Sequence, residues 1–273
     1  MPIIKVRDDT RIYYKDWGKG PAVYFSHGWP LNSDMWENQM MFLASEGFRV
    51  IAHDRRGFGR SDQPWDGYDH DTFSDDLSEI ITELDLTDLT LVGYAMGGGE
   101  IARYIGRHGS DRIAKVVLIG ATTPKLARSD DYPNGVPEAV FEGVRTGLKA
   151  DRAEFIRGFA RLFFGADRDG ANISEGSLMQ LHQIAMQSSL KAAHDSITAC
   201  ALTDYRTDIA KFDMPVMIIH GQDDAFVPFS ATARQAAELM PYAQLKIYEN
   251  APHGLLFTHK DRLNADLLNF LRQ

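Results

Sequence analysis

The stretch from Leu89 to Glu100, LTLVGYAMGGGE, constrains the fold more than any other part of the sequence. Its first half is a run of leucine and β-branched residues, which is typical of a buried strand that ends at Gly93. Its second half is rich in glycine, so a tight turn must lead from the strand into a helix that begins near Gly98. A strand that passes directly into a helix is the basic unit of an α/β fold.

The same alternation of strand and helix extends over most of the chain. The predicted strands are Ile3–Val6, Arg11–Trp17, Ala22–Ser26, Arg49–His53, Leu89–Gly93, Ile113–Ile119, Val216–His220 and Gln244–Tyr248. The predicted helices between them are Met35–Leu43, Phe73–Leu84, Ile101–His108, Thr232–Leu239 and Arg262–Leu271. Thr72 is the predicted N-cap of the second helix. We therefore predict an α/β fold with a mostly parallel sheet and helices on both faces.

The alternation stops between Pro124 and about Arg206. This stretch contains no convincing apolar strand, and three of its segments are helix-like: Glu138–Leu148, Arg152–Phe164 and Ser177–Ala201. A helical insert in such a sheet is typical of a cap. We therefore predict an α/β core of residues 1–123 and 207–273, with residues 124–206 as a helical cap over the active-site edge.

Composition and charge narrow the classes of partner. The chain has 273 residues, 44% of them hydrophobic, and a net charge of −9, which argues against nucleic acids and anionic membrane surfaces as partners. No stretch approaches the roughly 20 apolar residues that span a bilayer, and the N terminus lacks the apolar region of a signal peptide. The single cysteine, Cys200, excludes an intramolecular disulfide. We expect a soluble, cytoplasmic protein without a membrane or nucleic-acid partner.

The turn after the middle strand reads G-Y-A-M-G, which is the nucleophile elbow G-x-S-x-G with Ala95 in the position of the serine. Gly93 and Gly97 flank that position because a Cβ atom at either one would crowd the turn. The following helix N-terminus would direct free amides at a developing oxyanion. The alternative is a glycine-rich turn that binds a phosphate or a dinucleotide, but the G-x-G-x-x-G spacing is absent.

An elbow of this kind predicts an acid and then a histidine further along the chain. Asp224 follows the strand Val216–His220, and Asp223 is the alternative acid. His253 lies in a Pro/Gly-bounded loop after the last strand. In this arrangement His253 would act as the general base, and Asp224 would fix its tautomer and stabilise the imidazolium.

The oxyanion hole should use the amide of Met96 and a second amide from the loop after an early strand. That loop is S-H-G-W-P, and Trp29 is the predicted second donor. Aromatic and aliphatic side chains near the acid and in the helical insert predict an apolar substrate pocket. The residues of this predicted pocket are Trp29, Phe159, Phe163, Phe226 and Val227. Metal-ligand spacings such as H-E-x-x-H are absent, so no metal site is predicted.

With these pieces placed, the chain resembles the cofactor-free haloperoxidase, or perhydrolase and aryl-esterase, family of α/β-hydrolases essentially from end to end. The motifs that carry the resemblance are FSHGWPL, HDRRGFGRSD, LVGYAMGGGE, the VP after Asp224, and APHG. The resemblance implies a Ser-Asp-His triad at positions 95, 224 and 253, an oxyanion hole from Trp29 and Met96, and no metal, haem or other cofactor. It also implies hydrolysis of small esters, peracid formation from hydrogen peroxide, relatives that hydrolyse γ-lactams, and a homo-oligomer.

Ala95 departs from the family pattern and removes the attacking oxygen. Loss of the nucleophile can slow a serine triad about a million-fold, so the chain is expected to bind small esters or lactones and barely turn them over. The intact acid, histidine and elbow glycines favour an inactivating Ser-to-Ala substitution over a natural loss of function. Two alternatives remain: a non-catalytic ligand-binding homologue, and a cofactor-free enzyme that uses only the His253–Asp224 dyad. The motif from His53 to Asp62 is expected to hold its loop through Arg/Asp pairs.

Overall fold

One eight-stranded sheet forms the centre of the molecule. The computed structural model describes residues 1–171 and 173–273. The sheet order is β1-β2-β4-β3-β5-β6-β7-β8. The strands are β1 (Ile3–Lys5), β2 (Arg11–Trp17), β3 (Ala22–Ser26), β4 (Arg49–His53), β5 (Leu89–Tyr94), β6 (Ile113–Ile119), β7 (Val216–Gly221) and β8 (Gln244–Tyr248). The first two strands pair antiparallel, and all neighbours from β4 to β8 run parallel, which confirms the predicted α/β fold.

Helices follow most of the strands, and a 3₁₀ turn at Ser33–Trp36 precedes the first of them. The helices of the first half are α1 (Glu37–Ser45), α2 (His70–Glu83), α3 (Met96–His108) and α4 (Glu138–Ala150). Those of the second half are α5 (Arg152–Phe164), α6 (Glu175–Met186), α7 (Leu190–Leu202), α8 (Arg206–Ile209), α9 (Ala233–Leu239), α10 (Leu255–Thr258) and α11 (Lys260–Leu271). Within the described residues, no helix is both long and apolar enough to cross a bilayer.

Helices cover both faces of the sheet because both faces are apolar. In β3, Val23 and Phe25 enter one hydrophobic core, whereas Tyr24 between them enters the other. The first core is closed by α1 and α11, and the second by α2 and α3, through side chains such as Leu43 and Leu77. Strands buried on both faces explain the nearly continuous apolar runs in the sequence.

Two helix starts differ from the prediction by three residues or more. The N-cap of α2 is Asp69, not Thr72, because the Asp69 carboxylate accepts the Thr72 amide at 2.9 Å. The helix therefore begins at His70, three residues before the predicted Phe73. Similarly, α3 begins at Met96 immediately after the elbow, so the glycines that follow are helical and not part of the turn.

The predicted helix Ser177–Ala201 is two helices, α6 and α7. Ser189 caps the second one, because its Oγ accepts the Ala192 amide at 2.9 Å. Its own amide donates to the Gly57 carbonyl at 2.7 Å, which ties the break to another loop. The helices α4 to α7 all lie between β6 and β7 in sequence, where an insert was expected. The division of the chain into a core and a cap at residues 124–206 stays a prediction.

Candidate active site

Ala95 occupies the turn between β5 and α3 in a backbone conformation that is rare for a residue with a side chain. Its φ is +49° and its ψ is −115°. A Cβ atom added to Gly93 would lie 2.7 Å from the Gly97 carbonyl oxygen, and one added to Gly97 would overlap Ser26. Both flanking glycines are therefore required sterically, and the turn presents the residue at position 95 in a strained conformation typical of functional sites.

Asp224 and His253 come together from the loops that follow β7 and β8. The distance between His253 Nδ1 and Asp224 Oδ2 is 2.6 Å. The other carboxylate oxygen, Oδ1, accepts the amides of Phe226 at 2.9 Å and Val227 at 2.8 Å. Burial by itself would raise the pKa of Asp224, but His253 and these hydrogen bonds outweigh it and hold the pKa below its usual value. The acid thus stays ionised beside the imidazole.

The neighbouring carboxylate, Asp223, lies outside this arrangement. Its side chain is partly exposed and accepts a hydrogen bond from Arg168 Nη1 at 3.2 Å. Of the two acids that the sequence offered, Asp224 is the one that contacts His253.

The loop that carries His253 is anchored by Tyr94, the second residue of the elbow. Tyr94 Oη donates to the His253 carbonyl at 2.8 Å, and the two rings lie 4.8 Å apart between centroids. Phe163 packs edge-on against the same imidazole at 5.5 Å and is fully buried. Phe163 had been predicted to line the substrate pocket. It packs against the imidazole instead and is not among the residues that line the cavity described in the next paragraph.

A small apolar cavity of about 110 Å³ opens beside the elbow. Ala95, Met96 and His253 line it together, so the three positions share one enclosed space. Four of the predicted pocket residues also line it: Trp29, Phe159, Phe226 and Val227. The remaining lining residues, which the sequence did not single out, are Thr122, Leu126, Val136, Val140, Phe141, Val144, Phe155, Ile197 and Cys200. Most of these residues lie within the helical segment 124–206. Apolar residues at helical spacing are typical of a hydrophobic core as well as of a pocket wall, so the sequence pattern did not distinguish the two.

The amides of Trp29 and Met96 are available at the edge of this cavity. Within the described residues, neither backbone N–H donates a hydrogen bond to another protein group. The Trp29 ring is held separately, because its Nε1 donates to the Ala193 carbonyl at 2.8 Å. Two uncommitted amides beside one apolar cavity can stabilise negative charge on a bound oxygen.

The motif from His53 to Asp62 contains the expected arginine–aspartate pairs. Arg60 Nε donates to Asp54 Oδ2 at 2.8 Å, and Arg56 Nε donates to Asp76 at 2.6 Å. One arginine behaves differently, since Arg55 pairs with a buried glutamate in α3 and not with an aspartate. No sequence pattern indicates that partner, which lies 45 residues further along the chain.

Comparisons with known proteins identify the family and the fold. The family pattern described as "alpha/beta hydrolase fold" matches residues 21–260. A non-heme chloroperoxidase from Kitasatospora aureofaciens is 45% identical over 100% of both chains. A bifunctional esterase/perhydrolase from Acinetobacter calcoaceticus is 40% identical, again over 100% of both chains. A solved structure of a bromoperoxidase from Bacillus anthracis has a TM-score of 0.96 at 43% identity, covering 100% of this chain and 99% of that one.

These relatives match the whole chain, and the family pattern spans the strands β3 to β8, the elbow and the loops of Asp224 and His253. The chain therefore belongs to the α/β-hydrolase family, within its group of non-heme haloperoxidases, esterases and perhydrolases.

Proposed function

We propose that this chain is a serine-type carboxylesterase with alanine at its nucleophile position, so that it binds small esters but hydrolyses them very slowly. The observation that carries the proposal is the 2.6 Å contact of His253 with Asp224, in which His253 lines the same cavity as Ala95. We therefore assign the roles of a Ser-His-Asp site, apart from the attacking oxygen, to His253, to Asp224 behind it and to the amides of Trp29 and Met96.

With serine at position 95, each group has a defined task. His253 would take the hydroxyl proton as the oxygen attacks the ester carbonyl, and would return it to the leaving alcohol. Asp224 would hold the imidazole in the required tautomer, and the amides of Trp29 and Met96 would stabilise the oxyanion. Water would then cleave the acyl-enzyme, whereas hydrogen peroxide in its place would give a peracid, consistent with a relative named as an esterase/perhydrolase.

The cavity favours a small, uncharged substrate. Its volume of about 110 Å³ is well below the roughly 300–1,000 Å³ of sites for drug-sized ligands. Phe159 and Phe226 lie 4.8 Å apart between ring centroids on its wall. Phe141 and Phe155, on α4 and α5, line it as well, and we propose that the helices α4 to α7 form a cap that closes over a short or aromatic ester.

Restoring the hydroxyl tests the proposal. We expect Ala95→Ser to raise the rate of hydrolysis of an aryl acetate by about 10⁴-fold or more, because members of a triad act as a unit. Ala95→Gly keeps the turn but adds no hydroxyl, so it should stay at the starting rate. His253→Ala combined with Ala95→Ser should return to that rate. An Ala95→Ser protein that is folded and no faster than the original chain would contradict the proposal.

A non-catalytic binding protein is the second candidate, and Ala95 itself is the observation that favours it. It predicts that Ala95→Ser stays inactive while calorimetry detects the same affinity for a small ester analogue with either residue at position 95. A dyad-only enzyme differs from both candidates, because it would consume oxygen with an activated aromatic substrate and form no covalent intermediate.

A further inference from the structure

A buried ion pair lies next to the first turn of α3. The side chains of Arg55 and Glu100 are 1% and 0% exposed. Arg55 Nε donates to Glu100 Oε2 at 2.7 Å, and Arg55 Nη2 also donates to that oxygen. Ser26 completes the cluster, because its Oγ donates to Glu100 Oε2 and accepts from Arg55 Nη2, each at 2.8 Å.

The arginine end of the pair holds the loop that carries Trp29. Arg55 Nη2 donates to the His27 carbonyl at 3.0 Å, and the Arg55 amide donates to His27 Nε2 at 3.0 Å. Since Nε2 accepts a hydrogen bond, the ring proton is on Nδ1, which lies 2.9 Å from the Gly28 carbonyl. Burial and the Arg55 charge both lower the pKa of His27, so this ring stays neutral. The backbone is thus fixed up to the residue before Trp29.

The glutamate end holds the helix that carries Met96. Glu100 lies four residues after Met96 in α3, on the same face and one turn below it. Gly97, between them, packs so closely on Ser26 that a Cβ atom there would overlap. Burial would raise the pKa of Glu100, but Arg55 and His53 outweigh it and keep the glutamate ionised.

A gain in folding stability does not by itself explain why such a buried ion pair is present. The desolvation of two buried charges consumes most of their attraction, so apolar replacements of both are often neutral or stabilising. A buried pair can instead specify one geometry. We propose that the Arg55–Glu100 ion pair is a positioning device that fixes the amides of Trp29 and Met96 relative to each other, and this inference rests on the proposed function of those amides as an oxyanion hole.

A second buried pair in the same loop provides a matched control. Arg56 and Asp76 are 3% and 5% exposed, and Arg56 Nε and Nη2 each donate to the carboxylate at 2.6 Å. This pair connects the loop to α2, whereas the Arg55 pair connects it to α3 and the loop of Trp29. The two pairs are therefore alike in burial and chemistry, but they connect the loop to different elements of the fold.

The kinetic test uses Ala95→Ser as the parent. We expect Arg55→Lys and Glu100→Gln to lower kcat for an aryl acetate about 100-fold and to change KM less than about threefold, because misplaced donors weaken binding of the transition state. Both substitutions should also weaken inhibition by a boronic acid, which forms a tetrahedral adduct with the serine. The loss of inhibitor affinity should be proportional to the loss of kcat. Arg56→Lys and Asp76→Asn should keep kcat within about threefold. Equal kcat losses from both pairs would overturn the proposal.

A double variant separates positioning from folding. Arg55→Met combined with Glu100→Leu leaves no unpaired charge, so its urea midpoint should recover relative to the single variants while kcat stays low. Recovery of kcat together with the midpoint would contradict a positioning role.

A readout without turnover distinguishes a failure of this inference from a failure of the proposed function. In the chain as it stands, with Ala95, the ¹H–¹⁵N resonances of Met96 and Trp29 should both move in Arg55→Lys and Glu100→Gln. In Arg56→Lys they should stay in place. If Ala95→Ser is inactive, the proposed function fails but these spectra still decide whether the pair sets the amide geometry. Unmoved resonances in the Arg55 and Glu100 variants would overturn it.

Discussion

At position 95 the backbone conformation is strained, and the side chain lacks the hydroxyl oxygen that a serine nucleophile would supply. A φ of +49° is unfavourable for alanine and serine alike, and it typically costs about 1–3 kcal/mol at such a site. Backbone hydrogen bonds, not the side chain, hold this conformation: the Ala95 amide donates to the Ile119 carbonyl at 3.0 Å, and the Thr122 amide donates to the Ala95 carbonyl at 3.2 Å. A serine can therefore take the place of Ala95 without rebuilding the elbow.

Tyr94 gives a first prediction at the residue scale. Tyr94→Phe removes the buried hydrogen bond to the His253 carbonyl, which then keeps only the Leu255 amide as its donor, so we expect a loss of about 0.5–1.5 kcal/mol in the free energy of unfolding. In the Ala95→Ser background kcat should fall as well, because the His253 loop loses its anchor. Urea unfolding and aryl acetate kinetics measure the two effects.

Tyr242→Phe is the matched control for this prediction. Tyr242 Oη donates to the Phe212 carbonyl at 2.7 Å, but its side chain is exposed and belongs to the turn between α9 and β8. It should lose less stability and no activity. Equal effects on kcat from Tyr94→Phe and Tyr242→Phe would show that the hydroxyl of Tyr94 has no role in holding the histidine loop.

At the scale of elements, strands were more predictable than helix ends. Each predicted strand is present within a residue of its ends, because burial on both faces leaves an apolar run that turn residues interrupt. Helix ends depend on single hydrogen bonds. Asp69 and Thr72 are both acceptable caps by type, and the choice between them depends on which oxygen reaches a free amide.

The candidate site likewise contains some features that the sequence predicted and others that it did not. Chain order and strand ends sufficed to predict the neighbourhood of Asp224 and His253, because parallel strands bring their following loops to one edge. The Arg55–Glu100 pair was not predictable, since Arg55 lies in the loop after β4 and Glu100 in α3, and only the packing of α3 brings them together. Phe163 was misplaced for a similar reason: helical spacing does not tell which aromatic faces a cavity and which supports the histidine.

The break between α6 and α7 gives a prediction at this scale. Ser189→Ala removes the cap of α7 and should lower the free energy of unfolding by about 1 kcal/mol. Ser189→Asp keeps a capping oxygen and should retain the original stability. Thermal or urea unfolding compares the three proteins. Equal stability of the alanine and aspartate variants would show that the cap does not fix the break.

At the scale of the whole molecule, buried neutral histidines determine the response to acid. Burial lowers the pKa of His27 and His220, and it lowers the pKa of His70 to about 3. In the unfolded chain a histidine has a pKa of about 6.5, so below that pH the unfolded state binds more protons than the native state. Their contribution to stability is therefore complete above about pH 6.5 and declines as the pH falls toward 3.

Two buried acids act in the opposite sense. Burial raises the pKa of Asp208, and it raises the pKa of Asp76 to about 6. Between the unfolded value of 3.8 and the native value, the native state binds the extra proton and stability falls as the pH rises. Three histidines outweigh these two acids, so we expect net destabilisation from pH 7.5 to 5.

His70→Phe tests the balance. The variant keeps a ring for the contacts with Phe73 and Tyr205 but cannot titrate, so it should lose about 2 kcal/mol less stability than the parent between pH 7.5 and 5. Urea unfolding at the two pH values measures this difference. Identical pH dependence of the two proteins would show that His70 does not contribute to acid unfolding.

The central claim is that the molecule holds an assembled esterase site that lacks only the attacking oxygen at position 95. Intact mass spectrometry after treatment with an aryl phosphonate ester tests it most directly, because such a reagent labels an activated serine hydroxyl. We predict one phosphonyl adduct on Ala95→Ser, located at residue 95, with none on the original chain and very slow labelling when His253→Ala is added. A folded Ala95→Ser protein that gains no adduct would contradict the account.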